Sequence, residues 1–210
     1  GTLVPDQAIV DGLLRLQVIE GTLSRINVEG NYWFSFHYFT SRLKLDAGPP
    51  VNVNALQERL RFFQTDQRIE RINAELKPGK TRGESVLNVR VAERRPIKGW
   101  VEYNNFTAPG VGSNRLMGTI VDENLFGFGD RVSVQYGQSF GTDVNAHGNG
   151  INPNLNVHYA IPFTPYDTTF AVDYRRTDFT VIDSNVKALD INGKFESLGF
   201  TFRQPVFRTA

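Results

Sequence analysis

A period-two alternation of side chains limits what this chain can fold into more than any other feature of its sequence. In residues 131–138, RVSVQYGQ, apolar side chains alternate with polar or small ones, and residues 154–161, NLNVHYAI, repeat the pattern. Successive side chains of a strand point to opposite faces, so this alternation predicts strands with one apolar and one polar face. The same pattern recurs on both sides of this pair, which indicates an antiparallel sheet.

Six such strands are predicted after Pro96, where helical periodicity stops. We expect them at residues 97–106, 114–123, 131–140, 154–163, 169–181 and 189–204. Their connections alternate in length. The connections at 124–130 and 164–168 are short, whereas the one at 140–153 is long and rich in Gly and Asn. Short turns at one end and longer loops at the other are typical of an outer-membrane meander.

The alternation alone also fits a soluble barrel with an apolar interior, so other features must decide which face is wet. Several predicted strands reach the length of a tilted membrane span. Aromatic residues lie near strand ends, where the aromatic girdles of membrane barrels lie: Tyr103, Phe106, Phe126, Phe128, Phe140, Phe163, Tyr166 and Phe179. We therefore expect the apolar face to contact lipid.

The polar face of the predicted strands carries side chains that suit a water-filled lumen. We expect six of them to line a pore: Arg131, Gln135, Asn156, His158, Asp173 and Arg175. The alternative is that Arg131, Asp173 and Arg175 form ion pairs across the wall and make it rigid. Six strands are too few for a closed barrel of this type. Further sequence or other chains must therefore complete it.

Residues 21–95 predict a small α+β unit with the order β-α-α-β-β. Its strands are expected at 24–29, 68–76 and 85–92, with Ser35 capping the first helix. Asn54, with Gln57 three residues later, is expected to cap the second helix. The two helices are predicted to cover one face of a three-stranded sheet.

Residues 1–20 contain a further predicted strand, in which Leu14, Leu16 and Val18 alternate with polar residues after the turn signal Asp11-Gly12. This strand has no partner before it, so we interpret it as the end of a domain whose first part is missing. No signal peptide begins the chain, so we expect it to be processed or a fragment.

Composition excludes several functions. The net charge of +1, with both signs mixed throughout, makes nucleic acid an improbable partner. The absence of cysteine excludes disulfides and thiolate metal sites. His37, His147 and His158 are scattered over a helix, a loop and a strand, so no metal site is expected. Since there is also no nucleophile elbow, we expect no enzymatic activity and no cofactor.

Six segments, in this order along the chain, resemble the two-partner secretion transporters of the haemolysin activation/secretion family. They are residues 4–21 (VPDQAIVDGLLRLQVIEG), 21–30 (GTLSRINVEG), 75–91 (ELKPGKTRGESVLNVRV), 123–136 (ENLFGFGDRVSVQY) and, at two strand ends, 159–163 and 198–208. The resemblance implies the end of a first POTRA domain at 1–20 and a second POTRA domain at 21–95. It further implies that residues 96–210 form about six strands of a sixteen-stranded transmembrane barrel.

The resemblance also implies a function in the outer membrane of a Gram-negative bacterium. The barrel would move a large secreted exoprotein in extended form, and the POTRA part, in the periplasm, would capture it. An extended chain can pair with an open sheet edge. Our candidate edge is Arg68, Ile69, Glu70 and Arg71, whose charges suit a solvated strand. Replacing Ile69 with proline is then expected to weaken binding of the exoprotein.

Other interpretations stay open at this point. Residues 68–71 are equally well explained as an ordinary solvated strand of a POTRA domain. The whole chain also fits a protein that assembles and inserts other barrels, or a POTRA-type protein-binding module. A small porin-like channel is a third possibility.

Overall fold

The computed structural model describes residues 2–3, 17–18, 20–45, 47–140, 151–183 and 185–206. The chain divides into two compact units, Gly1–Arg95 with Phe207–Ala210, and Pro96–Val206. At the start of the first unit, β1 (Thr2–Leu3) pairs antiparallel with β2 (Gln17–Val18). The rest of the strand predicted before residue 20 lies outside the described residues, as does the centre of the long loop at 141–150.

The first unit continues as β3 (Thr22–Glu29), α1 (Phe36–Lys44), α2 (Val53–Thr65), β4 (Ile69–Pro78) and β5 (Glu84–Glu93). This is the predicted element order. In the sheet, β5 lies in the middle and pairs parallel with β3 and antiparallel with β4. No helix in the described part of the chain is long and apolar enough to cross a membrane.

Side-chain caps fix where the two helices begin. Ser35 accepts a hydrogen bond from the Tyr38 amide at 3.2 Å, as predicted. The predicted cap Asn54 is wrong, because Asn52 accepts a hydrogen bond from the Ala55 amide at 3.1 Å instead. The helix therefore begins two residues earlier than the capping-box pattern indicates.

The core of the first unit lies between the two helices and one face of the sheet. Phe39 and Leu43 of α1 are fully buried. The rings of Phe39 and Phe63 lie 5.3 Å apart and join the two helices. The sheet contributes Ile26, Ile69, Ile72 and, as predicted, Leu87, Val89 and Val91. β4 is buried at Ile69 and Ile72 but exposed from Asn73 on, so the helices cover only its first part.

The second unit is one antiparallel sheet in which the strand order follows the chain. Its strands are β6 (Ile97–Asn104), β7 (Asn114–Asp122), β8 (Arg131–Phe140), β9 (Ile151–Pro162), β10 (Thr169–Thr180) and β11 (Asn192–Arg203). Single 3₁₀ turns lie in two connections, at Pro109–Val111 and Lys187–Leu189. All six strands predicted after Pro96 are therefore present, with bounds that differ by a few residues.

The turn between β7 and β8 is held by two buried side chains. Asn124 accepts a hydrogen bond from the Gly129 amide at 2.8 Å. Asp130 accepts hydrogen bonds from the amides of Phe126, at 3.1 Å, and Phe128, at 3.4 Å. Gly129 has a φ of 80°, in the left-handed region that favours glycine. Because these bonds fix the length of the turn, they also fix which residues of β7 and β8 face each other.

The first unit is expected to fold on its own. Residues 21–95 expressed alone should be soluble and show mixed helix and strand circular dichroism. Within this piece, Leu43→Ala should lower the free energy of unfolding by about 2–5 kcal/mol, since it leaves a cavity in the core. Urea unfolding followed by circular dichroism measures this difference.

The matched control is Leu76→Ala on the exposed part of β4, where the leucine is 41% exposed. It should change stability by no more than about 0.5 kcal/mol. Equal losses in the two variants, or a disordered or all-strand fragment, would contradict the fold of this unit.

Candidate functional site

Polar side chains of the second unit line up in rows across the strands. Gln135 of β8 lies opposite Thr119 of β7 on one side and Asn156 of β9 on the other. Asn156 in turn lies opposite Arg175 of β10. Directly opposite residues of an antiparallel pair share a face of the sheet. These four side chains therefore form one row that crosses four strands.

Hydrogen bonds join this row into a continuous network. The Gln135 side chain donates to Thr119 Oγ1 at 3.4 Å, and Asn156 Nδ2 donates to Gln135 Oε1 at 2.9 Å. Arg175 Nε donates to Asn156 Oδ1 at 3.1 Å. A branch continues from Asn156 to Asn154 at 3.1 Å. Because the members hold one another in place, this face presents fixed polar groups to its surroundings.

All six residues predicted to line a pore lie on this polar face. They border one concavity of about 380 Å³, together with Ser133 and Thr119. The structure thus brings together side chains from three different strands, as the alternation indicates. That this concavity belongs to a pore stays a prediction.

Hydrogen bonds, more than ion pairs, connect the strands on this face. Asp173 contacts His158, with 2.7 Å between Oδ1 and Nδ1. Arg175, by contrast, donates to the uncharged side-chain oxygen Oδ1 of Asn156.

The opposite face of the same sheet is apolar and exposed. Ile120, Leu198, Phe200 and Phe202 are each at least 60% exposed. The rings of Phe170 and Phe200 stack with their centres 6.1 Å apart. A soluble protein rarely exposes a contiguous apolar surface of this kind. The sheet therefore suits apolar surroundings on this face, and Phe200 does not belong to a dry interior.

The apolar face ends in charges near the loop between β10 and β11, which the alternation analysis missed. Arg176 pairs with Asp178 at 3.0 Å, and Lys194 pairs with Glu196 at 2.9 Å. The signal was present in the sequence: Arg175 and Arg176 are adjacent, so one of them has to face away from the polar side. We expect apolar surroundings to stop at these ion pairs, since charges are costly inside a membrane.

Phe179, which was predicted to belong to an aromatic girdle, lies on the other face of the sheet. It lies opposite Gly193 and has the same parity along β10 as Asp173 and Arg175, so it belongs to the polar face. A Cβ at Gly193 would collide with the Phe179 ring. This aromatic side chain therefore packs across the polar face and does not contribute to an outer girdle.

In the first unit, the predicted edge segment 68–71 is only partly open. The Arg68 guanidinium forms an ion pair with Asp66 at 2.7 Å and lies 5.0 Å from the Phe34 ring centre. Ile69 is 3% exposed, and its amide donates to the Asp66 carbonyl. Glu70 and Arg71 are exposed, at a bulge where the register shifts. Proline at Ile69 would consequently disturb the core and not the edge alone.

The open backbone groups of β4 lie further along the strand. The Gly79 amide donates to the Glu84 carbonyl at 2.8 Å, and hydrogen-bonded pairs alternate in an antiparallel ladder. The amides of residues 73, 75 and 77 therefore point to β5. Those of Ile72, Ala74 and Leu76 point away from it. Because β4 is the outer strand of its sheet, these three amides form the open edge.

The contact between Asp66 and Arg68 gives the first unit a dependence on acid. Burial raises the pKa of Asp66, but the hydrogen bonds and positive charge of Arg68 outweigh it, so the pKa lies below its ordinary value of 3.8. A carboxyl whose pKa is lowered by folding stabilises the folded state above its ordinary pKa. That stability is lost as the pH falls through the lower, folded value.

Within the described residues, no three His, Asp or Glu side chains come together in a way that would hold a metal ion.

Residues 83–210 match the family model described as haemolysin secretion/activation protein ShlB/FhaC/HecB. This match covers more than half of the chain. The chain belongs to this family. Among curated relatives, the heme/hemopexin transporter protein HuxB of Haemophilus influenzae is 24% identical over 212 residues, which cover 99% of this chain and 35% of HuxB. The chain thus spans about a third of the length of this relative.

Two solved structures share the fold. CdiB from Escherichia coli matches with a TM-score of 0.65 and 20% sequence identity over 99% of this chain and 38% of CdiB. BamA from Haemophilus ducreyi lacking POTRA domains 1–3 matches with a TM-score of 0.59 and 14% identity, over 86% of this chain and 31% of BamA. At these identities the likeness shows the fold only.

The acid dependence of Asp66 can be measured on residues 21–95. We expect the wild type to lose stability as the pH falls below 3.8, because protonation breaks the contact with Arg68. Asp66→Asn should lose much less over the same range, although it is less stable at neutral pH. Urea unfolding at a series of pH values measures both.

Glu75→Gln is the matched control, since Glu75 pairs with Lys77 on the exposed surface, where an ion pair contributes little. It should keep the acid dependence of the wild type. If Asp66→Asn and the wild type lost stability in parallel below pH 3.8, the contribution of this carboxyl would be refuted.

Proposed function

We propose that this chain is part of a transporter that moves a large partner exoprotein, in extended form, across the outer membrane of a Gram-negative bacterium. In this proposal residues 1–20 end a first POTRA domain and residues 21–95 form a second one, both in the periplasm. Residues 96–210 supply the first six strands of a sixteen-stranded barrel that forms the pore. Its partners are the secreted exoprotein and outer-membrane lipid, with no cofactor and no catalytic step.

The division of the second unit into two faces carries this proposal. One face holds the hydrogen-bonded row from Thr119 to Arg175, and the other exposes Ile120, Leu198 and Phe200. In a closed barrel the first face lines a wet route and the second contacts lipid. A polypeptide moving along the polar face would exchange hydrogen bonds with amides and hydroxyls.

The open edge of β4 supports capture of the exoprotein in the periplasm. Ala74 and Leu76 are exposed and have amides that point away from β5. An extended segment can pair with them as an added strand. Pairing through the backbone demands little of the exoprotein's sequence, which suits the recognition of an unfolded chain.

Assembly and insertion of other barrels is the second candidate, because the fold is also that of BamA. The family match favours secretion. The family is described as one of haemolysin secretion/activation proteins, and the relative HuxB is named as a transporter. We therefore place secretion first.

Ala74→Pro tests capture at the edge. It removes an amide that points outward and leaves the hydrogen bonds to β5 intact, and proline is tolerated on edge strands. We expect binding of an extended exoprotein segment to residues 21–95 to weaken about five- to tenfold, because one backbone hydrogen bond contributes roughly 1 kcal/mol. Fluorescence anisotropy of a labelled segment measures the affinity. Secretion by the intact transporter should fall in parallel.

Ala74→Val is the control, since it adds bulk but keeps the amide. It should bind like the wild type, and thermal melts of both variants check that they are folded. Unchanged affinity for a folded Ala74→Pro variant would exclude this edge as the capture site.

A further inference from the structure

The loop between β3 and α1, together with the first residue of α1, exposes an aromatic surface to solvent. Tyr32 is 82% exposed, Trp33 36% and Phe36 51%. The rings of Tyr32 and Trp33 contact each other edge to face, with their centres 5.0 Å apart. Three neighbouring aromatic side chains directed outward from a small domain mark a surface that meets something less polar than water.

This aromatic loop is held in place by a carboxylate. Glu93, at the end of β5, accepts hydrogen bonds from the amide of Tyr32 at 3.1 Å, from the amide of Trp33, and from that of Phe34 at 3.3 Å. Gly30, which begins the loop, has a φ of 83°, and a Cβ there would collide with the carbonyl of Val91. The loop is therefore fixed against the end of β5, and its aromatic side chains are presented in a defined position.

The parallel pairing of β3 and β5 decides which end of the domain carries this loop. Glu29 lies beside Arg90, so the loop that follows β3 is at the end where β5 leaves the domain. The chain enters at the other end, where Thr22 lies beside Glu84, roughly 25 Å away for a strand of eight residues. Only three residues, 94–96, lie between Glu93 and Ile97, the start of β6, so at most about 14 Å of chain connects these two residues.

Positive charge accompanies the aromatic loop at this end. Arg94 and Arg95 directly follow Glu93, and both are exposed. Tyrosine and tryptophan favour the boundary between lipid and water, because each has an apolar ring and a polar group. Arginine side chains are attracted to anionic lipid headgroups. Both residue types are thus found at the end of the first unit from which the chain continues towards β6.

We propose that Tyr32, Trp33 and Phe36, together with Arg94 and Arg95, anchor the domain of residues 21–95 to phospholipid headgroups in the periplasmic leaflet of the outer membrane. The inference rests on the proposed location of the second unit in that membrane. The anchor would limit how far the capturing edge of β4 swings away from the pore.

Quenching of Trp33 fluorescence tests the anchor. The sequence has two tryptophans, and in the intact transporter every tryptophan except Trp33, Trp100 included, is replaced by phenylalanine. The protein is reconstituted into vesicles of phosphatidylethanolamine and phosphatidylglycerol. We expect phospholipid brominated near its headgroup to quench Trp33 more than phospholipid brominated deep in the acyl chain. Aqueous iodide should quench it weakly.

Replacing Arg94 and Arg95 with glutamine should release the loop from anionic vesicles, lowering the ratio of bound to free loop about fivefold for each arginine. The accessibility of Trp33 to iodide then rises. The matched control replaces Lys77 and Lys80, which are exposed at the other end of the sheet, with glutamine. This control changes net charge by the same amount and should leave the quenching unchanged.

Three results would overturn the anchor. In the first, iodide quenches Trp33 and brominated lipid does not. In the second, neither quenches it, which would mean that protein covers the side chain. In the third, its fluorescence changes only when an extended exoprotein segment is added, which would make the loop a peptide-binding site. Secretion is measured separately through Ala74→Pro. A failed anchor is therefore distinguishable from a failed transport proposal.

Discussion

Register between neighbouring strands is the constraint on which the second unit depends. Each strand carries one polar and one apolar face, so a slip of one residue would place Gln135 among apolar neighbours and Val134 among polar ones. The row from Thr119 to Arg175 is continuous only because three successive strand pairs keep their alignment. Asn124 and Asp130 fix the first of these pairs at its turn, and the Tyr159 hydroxyl extends the contact to β9 by donating to Asp130 at 3.3 Å.

The first unit uses two partly buried carboxylates for a related purpose. Asp66 orients Arg68 at the start of β4, and Glu93 holds the loop before α1 at the end of β5. Each carboxylate accepts hydrogen bonds from several backbone or guanidinium N–H groups. Without it, these groups would have no partner within the domain. As a result, the edge of β4 and the aromatic loop are both presented by a rigid scaffold. The two surfaces proposed to meet other molecules are therefore preorganised.

Much of this architecture is readable from the sequence, because both of its regular patterns are local. Period-two alternation predicts the six strands after Pro96 and brings Gln135, Asn156 and Arg175 to one face. Periodicity near 3.6 with Ser35 as a cap predicts α1. The charged end of the apolar face is also readable, since two adjacent arginines cannot share a face of a strand.

Other features depend on contacts between distant residues and are invisible to local patterns. The Arg68 and Ile69 amides of the predicted edge segment donate to Asp66, and the bulge after Ile69 shifts the register of β4; a local charge pattern shows neither feature. Asn52 caps α2 and Asn54 does not, because the path of the preceding loop determines at which residue the helix begins. The role of Glu93 appears only when β5 lies beside the end of β3, because its partners are about 60 residues away in the chain.

The claim that decides the account is that the two faces of the second unit meet different surroundings, water on one side and lipid on the other. The chain has no cysteine, so single substitutions Val134→Cys and Gln135→Cys place a thiol on each face at neighbouring positions. In the intact transporter in outer membranes, a charged, water-soluble thiol reagent should modify Gln135→Cys rapidly and Val134→Cys slowly. Rapid modification of Val134→Cys with protection of Gln135→Cys would contradict the assignment of the two faces, and with it the transport function.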